Sequence, residues 1–333
     1  MKAMALKKPA PIESSPLSEI DAPVPIPRDG EILVRIHTCG VCRTDLHVSE
    51  GDLPQKHRWI VPGHEIVGTV ERRGLGASRF AQGARVGIAW LRNTCGKCVY
   101  CQRERENLCP NARFTGWDHD GGYAEYAVVR EDFAYAIPDT IGDEEAAPLM
   151  CAGIIGFRAI RRAAIQPGST VGLYGFGGSA HIALQVLKHW QCRVFVMSRG
   201  GVHRDLAERL GADWIGGADE RAPASLDAAI LFAPAGNLVL PAMEALDRGG
   251  ILAIAGIYLS PVPELDYEKH LFYEREIRSV TANTRADAEE FLKVAGEVPV
   301  RTHTVAFGLS EANVALKMLK HDEIQGAGVL RIS

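Results

Sequence analysis

Four of the chain's eight cysteines stand within fifteen residues: Cys95-Gly96-Lys97-Cys98-Val99-Tyr100-Cys101 and then, after seven more residues, Cys109. This C-x2-C-x2-C-x7-C run constrains the fold more than any other stretch. Four thiolates so spaced can wrap one tetrahedral ion, and a closed all-sulfur shell is the ligand set of structural zinc. Iron–sulfur runs also use C-x2-C-x2-C, but usually continue with a shorter gap to a Cys-Pro than the one before Cys109-Pro110. A disulfide framework is the remaining reading, and it suits small secreted chains rather than one of 333 residues whose first dozen residues contain no apolar leader. A closed four-thiolate site leaves no coordination position for a reactant, so the chemistry must lie elsewhere.

The length suggests two domains, and 47% hydrophobic against 23% charged residues gives ample material for their cores. With a net charge of -4 and no basic stripe, nucleic acid is not an expected partner. No apolar run is long enough for a membrane span. Cysteine-rich, without a leader and without membrane segments, the chain is expected to be cytoplasmic, its thiols serving metal or catalysis.

Two registers divide the sequence. Up to about residue 150, short runs such as Glu31–His37, Ile66–Arg72, Arg85–Trp90 and Tyr123–Arg130 read as strands punctuated by glycine and proline, which suggests a barrel-like β domain. Beyond Ile154–Ala164, a helix candidate, strand and helix alternate. Val171–Tyr174, Arg193–Ser198, Ala228–Phe232, Ile251–Ala255 and Arg278–Ala282 are apolar strands, with helices expected at Ala180–Trp190, His203–Leu210 and Leu238–Leu246. That alternation predicts a doubly wound parallel sheet. Ala286–Val294 and Leu309–Lys320 read as amphipathic helices, and Val329–Ile332 as a last strand.

Gly175-Phe176-Gly177-Gly178-Ser179-Ala180 follows a strand and opens a helix, the G-x-G-x-x-A form of the dinucleotide fingerprint. Its glycines permit the turn and let backbone approach a pyrophosphate at the positive end of the helix dipole. Where an acidic residue would hold the ribose diol of NAD, the second strand ends in Ser198 and Arg199, with His203 nearby. Arginine and serine suit a 2′-phosphate, so NADP is preferred over NAD, although Arg199 could also stack on adenine or face solvent.

Outside the cysteine run, Cys42, the pair His64-Glu65 and Cys151 stand out, but they are too far apart in sequence for spacing to assemble them. Taken with GVCRTDLH (40–47), GHE (63–65), the four-cysteine run, GGYAEYA (121–127), LMCAG (149–153) and the glycine loop, they make the chain resemble the zinc-dependent medium-chain alcohol dehydrogenases along essentially its whole length. The resemblance implies an α/β architecture. A GroES-like β-barrel catalytic domain would span 1–152 and 286–333, around a Rossmann domain spanning 153–285. Two zincs per chain are implied. Cys42, His64 and Cys151 would hold the catalytic one, the Cys2His set of alcohol dehydrogenase itself, and Cys95, Cys98, Cys101 and Cys109 the structural one. Glu65 resembles the carboxylate that can approach the metal during ligand exchange, and Asp45 the one that orients the ligating histidine. Thr44 would hydrogen-bond the substrate hydroxyl, His47 would complete a proton relay through the cofactor ribose, and Arg43 would meet the pyrophosphate. On residue type alone, Thr44 and Asp45 equally suit the start of a helix, and His47 a surface position.

The chain departs from the family pattern at Ile155, where many members have threonine, at Phe157 in place of tyrosine, and at Ala327 in place of a pyrophosphate-binding arginine. Trp90, Trp117 and Ile155, with Trp59, are the pocket candidates, and their apolar character predicts small or medium primary alcohols and their aldehydes as substrates. A polyol or cinnamyl-type alcohol dehydrogenase is the nearest alternative. A non-catalytic zinc and nucleotide-binding protein is the alternative from another class, and a zincless quinone reductase would lack both cysteine sets. The resemblance further implies a homodimer or homotetramer.

Overall fold

Residues buried almost throughout Glu31–Val41 set one strand in the middle of a seven-stranded sheet. The computed structural model that shows this describes residues 1–298 and 300–333. It divides into two units. The first comprises Met1–Cys151, Ala282–Gly296 and Arg301–Ser333, and the second Ala152–Thr281 with Glu297–Val300.

In the first unit the strand order is Thr304–Gly308, Ala327–Arg331, Glu31–Val41, Glu65–Arg73, Arg85–Ile88 and Ala134–Ala136, with Tyr126–Arg130 also paired to Glu31–Val41. Ala327–Arg331 lies antiparallel to the second half of the central strand, so the C-terminal segment completes the sheet that the N-terminal segment begins. The register sets Gly40 opposite Glu65. A Cβ at Gly40 would come within 1.8 Å of the Glu65 carboxylate, so only glycine leaves that buried acid its place. The core includes Ile32, Val34, Ile36, Ile66 and Val86 from the strands, with Leu316 from the helix Ala312–Lys320 packed among them.

The second unit holds six parallel strands in the order Trp214–Gly216, Arg193–Met197, Thr170–Tyr174, Leu226–Leu231, Leu246–Ile254 and Glu276–Ser279. Sequence order reverses direction at Thr170–Tyr174, the topological switch where open α/β sheets bind ligands. The strands are apolar on both faces because helices cover both, as a parallel sheet requires. Ile182, Ala183, Leu184, Val186 and Leu187 bury the apolar side of the helix Gly178–His189, and Lys188 and His189 close it at the negative end of its dipole.

The expected fold class is the one observed, with differences in detail. The helix expected at Leu238–Leu246 is a short 3-10 turn, Gly236–Leu238, followed by Val239–Ala245, because Leu246 already pairs with Leu226 in the sheet. Several elements had no sequence expectation, among them the antiparallel pair Lys2–Leu6 with Leu17–Asp21 and the strands Ala134–Ala136, Trp214–Gly216 and Thr304–Gly308. All are short, and their patterns are too brief to show a period. Among the described residues no helix is long and apolar enough to cross a membrane.

Candidate functional site

Among the described residues, two groups of side chains bring their ligand atoms within 4.8 Å of one another: Cys95, Cys98, Cys101 and Cys109, and Cys42, His64, Glu65 and Cys151. Both lie in the first unit.

In the cysteine lobe the Sγ atoms of Cys98 and Cys101 are 3.5 Å apart, those of Cys109 and Cys95 3.5 Å, and those of Cys95 and Cys101 4.0 Å. These separations are far too long for disulfides, and the cysteines are free. Four sulfurs at about 2.3 Å from one zinc would stand about 3.8 Å from each other, which the observed spacing brackets. A cuboidal iron–sulfur cluster, with each cysteine on a different iron, would need a wider set. Gly96 takes a positive φ of 67° in the turn between the first two ligands. The backbone amides of Lys97 and Cys98 pull the Cys95 thiol down to about 6, the thiolate character a metal ligand needs, while burial pushes Cys109 up to about 11. Glu106 of the lobe is buried and accepts hydrogen bonds from the backbone N and Nε of Arg285, at 2.9 and 3.3 Å.

The second group is assembled by three elements. Cys42 ends the central strand and caps the helix Arg43–Glu50, His64 immediately precedes the strand Glu65–Arg73, and Cys151 follows the turn Ala147–Met150. The Cys42 and Cys151 sulfurs are 3.9 Å apart, again a separation that fits one shared ion. His64 is fully buried. Its Nδ1 lies 2.9 Å from Oδ1 of the equally buried Asp45, while its Nε2 is buried with no hydrogen-bond partner among the described residues. A fully buried, unpartnered imidazole nitrogen beside two thiols would be costly in the bare protein. It is what a soft divalent cation would satisfy, so the donor set fits zinc. The thiol of Cys42 is held well below its usual range by Cys151 and the His64 ring, against the opposing effect of burial. Cys151 is pushed up by Cys42 and by burial, and Glu65 by burial and by Cys42. Burial would lower the pKa of His64, but Asp45 and Cys42 together outweigh it and the net shift is upward.

Trp90 stands edge-on to the His64 ring with centroids 5.0 Å apart. Phe114 and Trp117 stack on it at 4.9 and 6.1 Å, and Lys56 Nζ lies 3.3 Å over the outer face of Trp117 while also pairing with the buried Asp118. Trp59 is 49% exposed and takes no part in this stack.

In the second unit the glycine loop leads from Thr170–Tyr174 into Gly178–His189, with Gly177 at the N-cap. Gly175 has φ +88°, and a Cβ there would meet Ala233 at 2.8 Å. A Cβ at Gly177 would meet nothing within 4 Å, so no protein atom demands glycine there. The open space above the helix N-terminus suits a pyrophosphate. Ser198 is buried with its backbone N on Gly216, its carbonyl accepts from Arg204 Nε at 2.6 Å, Arg199 is exposed and His203 half-buried. Ile155 is half-buried on the helix Ala152–Arg162 of this unit.

Residues 28–139 match the family model of the alcohol dehydrogenase GroES-like domain. A probable alcohol dehydrogenase, AdhA, of Mycobacterium tuberculosis (strain CDC 1551 / Oshkosh) is 53% identical, with 100% of this chain and 97% of the relative aligned. The chain belongs to the zinc-dependent medium-chain alcohol dehydrogenases. An alcohol dehydrogenase of Geobacillus stearothermophilus is 35% identical over 91% of this chain and 92% of the relative. A cobalt- and zinc-bound thermostable alcohol dehydrogenase of Pyrobaculum aerophilum superposes with a TM-score of 0.89 at 27% identity, covering 100% of this chain and 99% of that one. This alcohol dehydrogenase is thus an oxidoreductase, zinc-dependent and NAD(P)-linked.

Within the alcohol dehydrogenase's first unit, Thr44 is buried with its Oγ1 3.9 Å from Cys42 Sγ. His47 is one turn further along the same helix and bonds Asp52 Oδ2 at 2.7 Å. Arg43 is committed to an ion pair with Asp322, a partner the sequence did not suggest. Cys39, immediately before the Gly40 that pairs with Glu65, is a fully buried thiol whose pKa burial raises, and it stands outside both ligand groups. Sequence reasoning missed Phe114 and Lys56 in the aromatic stack. The only signal was the nearness of Phe114 to Trp117, since Lys56 reaches them across a long loop.

Proposed function

We propose that this alcohol dehydrogenase interconverts small or medium primary alcohols and aldehydes with NADP at a zinc held by Cys42, His64 and Cys151. The convergence of those three donors with Glu65 within 4.8 Å, around an unpartnered His64 Nε2, carries the proposal. When bound, zinc supplies a Lewis acid for the substrate oxygen and the nicotinamide supplies the hydride carrier. The residues do the rest. Asp45 holds Nδ1–H of His64, which fixes the tautomer and aims the Nε2 lone pair at the thiols. Thr44, beside Cys42, is placed to accept the proton of a substrate hydroxyl. His47, on the same helix and 22% exposed in its side chain, passes it toward solvent. Glu65, buried beside the three donors, would be a spare oxygen donor to the metal. Trp90 and Trp117 form an apolar wall beside His64 that offers a polyol few partners, which favours small or medium primary alcohols.

The glycine loop Gly175, Gly177, Gly178, Ser179 and Ala180 is proposed to cradle the pyrophosphate. The exposed Arg199 beside Ser198, with His203 near, is proposed to take the 2′-phosphate. Arg43 would have to exchange Asp322 for a cofactor phosphate. A cytoplasmic homodimer or homotetramer of two-domain chains, 1–152 with 286–333 and 153–285, completes the reading. Metal analysis paired with oxidation of NADPH and NADH on a panel of aldehydes tests it. Two zincs per chain with NADPH-driven reduction is the expected result. A clear NADH preference would overturn the roles given to Ser198 and Arg199. Two bound zincs with no turnover on any substrate would favour a non-catalytic zinc and nucleotide-binding protein.

A further inference from the structure

We propose that Tyr123 is a positioning residue for the His64 ligand, acting through Asp45. The inference rests on the ligand reading above. Asp45 is surrounded by four donors. Its Oδ1 takes His64 Nδ1 at 2.9 Å and the backbone N of Gly63 at 3.1 Å, and its Oδ2 takes the backbone N of Cys42 at 3.0 Å and the hydroxyl of Tyr123 at 3.3 Å. Two of those donors belong to proposed ligands, and a third is the residue before one. The fourth comes from a separate segment, GGYAEYA, which no role has yet absorbed.

That segment is built against the ligand loop. The backbone N atoms of Gly121, Gly122 and Tyr123 donate to the carbonyls of Val61, Gly63 and Pro62, at 2.7, 2.9 and 3.0 Å. Gly63 takes φ +96°, and a Cβ on it would fall 2.5 Å from the Tyr123 ring, so the glycine before His64 makes the seat for that ring. Tyr123 is 0% exposed, and among the described residues its hydroxyl has Asp45 as its one hydrogen-bond partner. A phenol buried here for packing alone would leave its hydroxyl without a partner, and phenylalanine would serve as well. The hydroxyl completes the carboxylate's shell and restrains the oxygen pair that orients the imidazole. Outer partners of a ligating histidine commonly govern metal affinity in this way.

The test follows zinc release to a chromogenic chelator from the doubly loaded enzyme, with the four-cysteine site as internal reference. Tyr123→Phe is expected to release the zinc of the Cys42–His64–Cys151 site about tenfold faster, the low end for outer partners of a histidine ligand. Release from the cysteine lobe should hold, and the visible bands of cobalt placed in the three-ligand site should shift. Tyr135→Phe, an equally buried tyrosine outside both ligand groups, should change neither. Site-specific 3,5-difluorotyrosine at position 123, a stronger donor of nearly the same shape, should slow release, and this arm decides the matter if Tyr123→Phe does not fold. Unchanged release, or equal acceleration at both sites, would overturn the role of Tyr123. Cys151→Ser, which removes a proposed ligand, separates the two readings. If it loses zinc while Tyr123→Phe does not, only the tyrosine's role fails. If it too leaves the three-ligand zinc untouched, the ligand reading itself fails.

Discussion

Asp45 shows how one side chain can serve two neighbours. It accepts the backbone N of Cys42 at the start of the helix on one oxygen and lies against His64 Nδ1 with the other. One side chain therefore fixes both the helix that carries Thr44 and the imidazole, and the geometry of each depends on it. Thr44, by contrast, is not the cap, because Cys42 occupies that position. Freed from capping, its hydroxyl beside Cys42 is available for proton transfer. Thr44→Val, which keeps the shape and removes the hydroxyl, should lower turnover by about 10²-fold or more, in the range of general acid–base assistance, while zinc content holds at wild-type level. Steady-state kinetics alongside metal analysis checks this, and near wild-type turnover would remove Thr44 from the proton path.

At the scale of elements, the backbone ladder that pairs the edge strand Trp214–Gly216 with Arg193–Met197 in the second unit is reinforced by one acid. Asp213 Oδ2 accepts the backbone N of Val194 at 2.7 Å and Lys188 Nζ at 2.7 Å, tying the approach to the edge strand Trp214–Gly216 to its neighbour and to the helix that follows the glycine loop. Burial would raise the pKa of Asp213, but Lys188 and the Val194 amide outweigh it and hold it below the ordinary range. A carboxyl whose pKa is lower folded than unfolded contributes stability above its unfolded value, and that contribution disappears as pH falls through the folded one. Asp213→Asn should therefore cost about 1 kcal/mol at neutral pH. The gap between variant and wild type in denaturant titrations should narrow as pH drops below about 4. A gap that stays constant down to low pH would show that the carboxylate's charge contributes nothing there.

For the molecule as a whole, the four-cysteine lobe acts as a brace. Its sulfurs close on themselves, and its buried Glu106 is anchored by Arg285 at the start of the helix Arg285–Glu297, a segment that joins the first unit from late in the sequence. Cys98→Ser should thus impair folding first, read as lower yield and a lower thermal midpoint, and activity only as a consequence. Loss of turnover in a fully folded protein with the Cys42–His64–Cys151 site loaded would contradict this.

The sequence alone determined what depends on local spacing. The lobe's ligands lie within one turn-rich stretch, the glycine loop within one strand–turn–helix, and the parallel sheet is written in the alternation of apolar strands with helices. It also named the second ligand set, but only through resemblance, since nothing in the spacing of Cys42, His64 and Cys151 brings them together. The tertiary structure decided what depends on chains meeting at a distance: the pairing of the C-terminal strand with Glu31–Val41, the Arg43–Asp322 ion pair, the Lys56 cap on the tryptophan stack, and the Tyr123 hydroxyl on Asp45. The physical reason is that short-range steric and hydrogen-bonding preferences are written in neighbouring residues. Burial and donor–acceptor partnership between remote segments exist only once the strands have taken their register. The compact cysteine run pointed to the metal chemistry, and the strand register around Gly40 and Gly63 is what gives the scattered ligands a common place to meet.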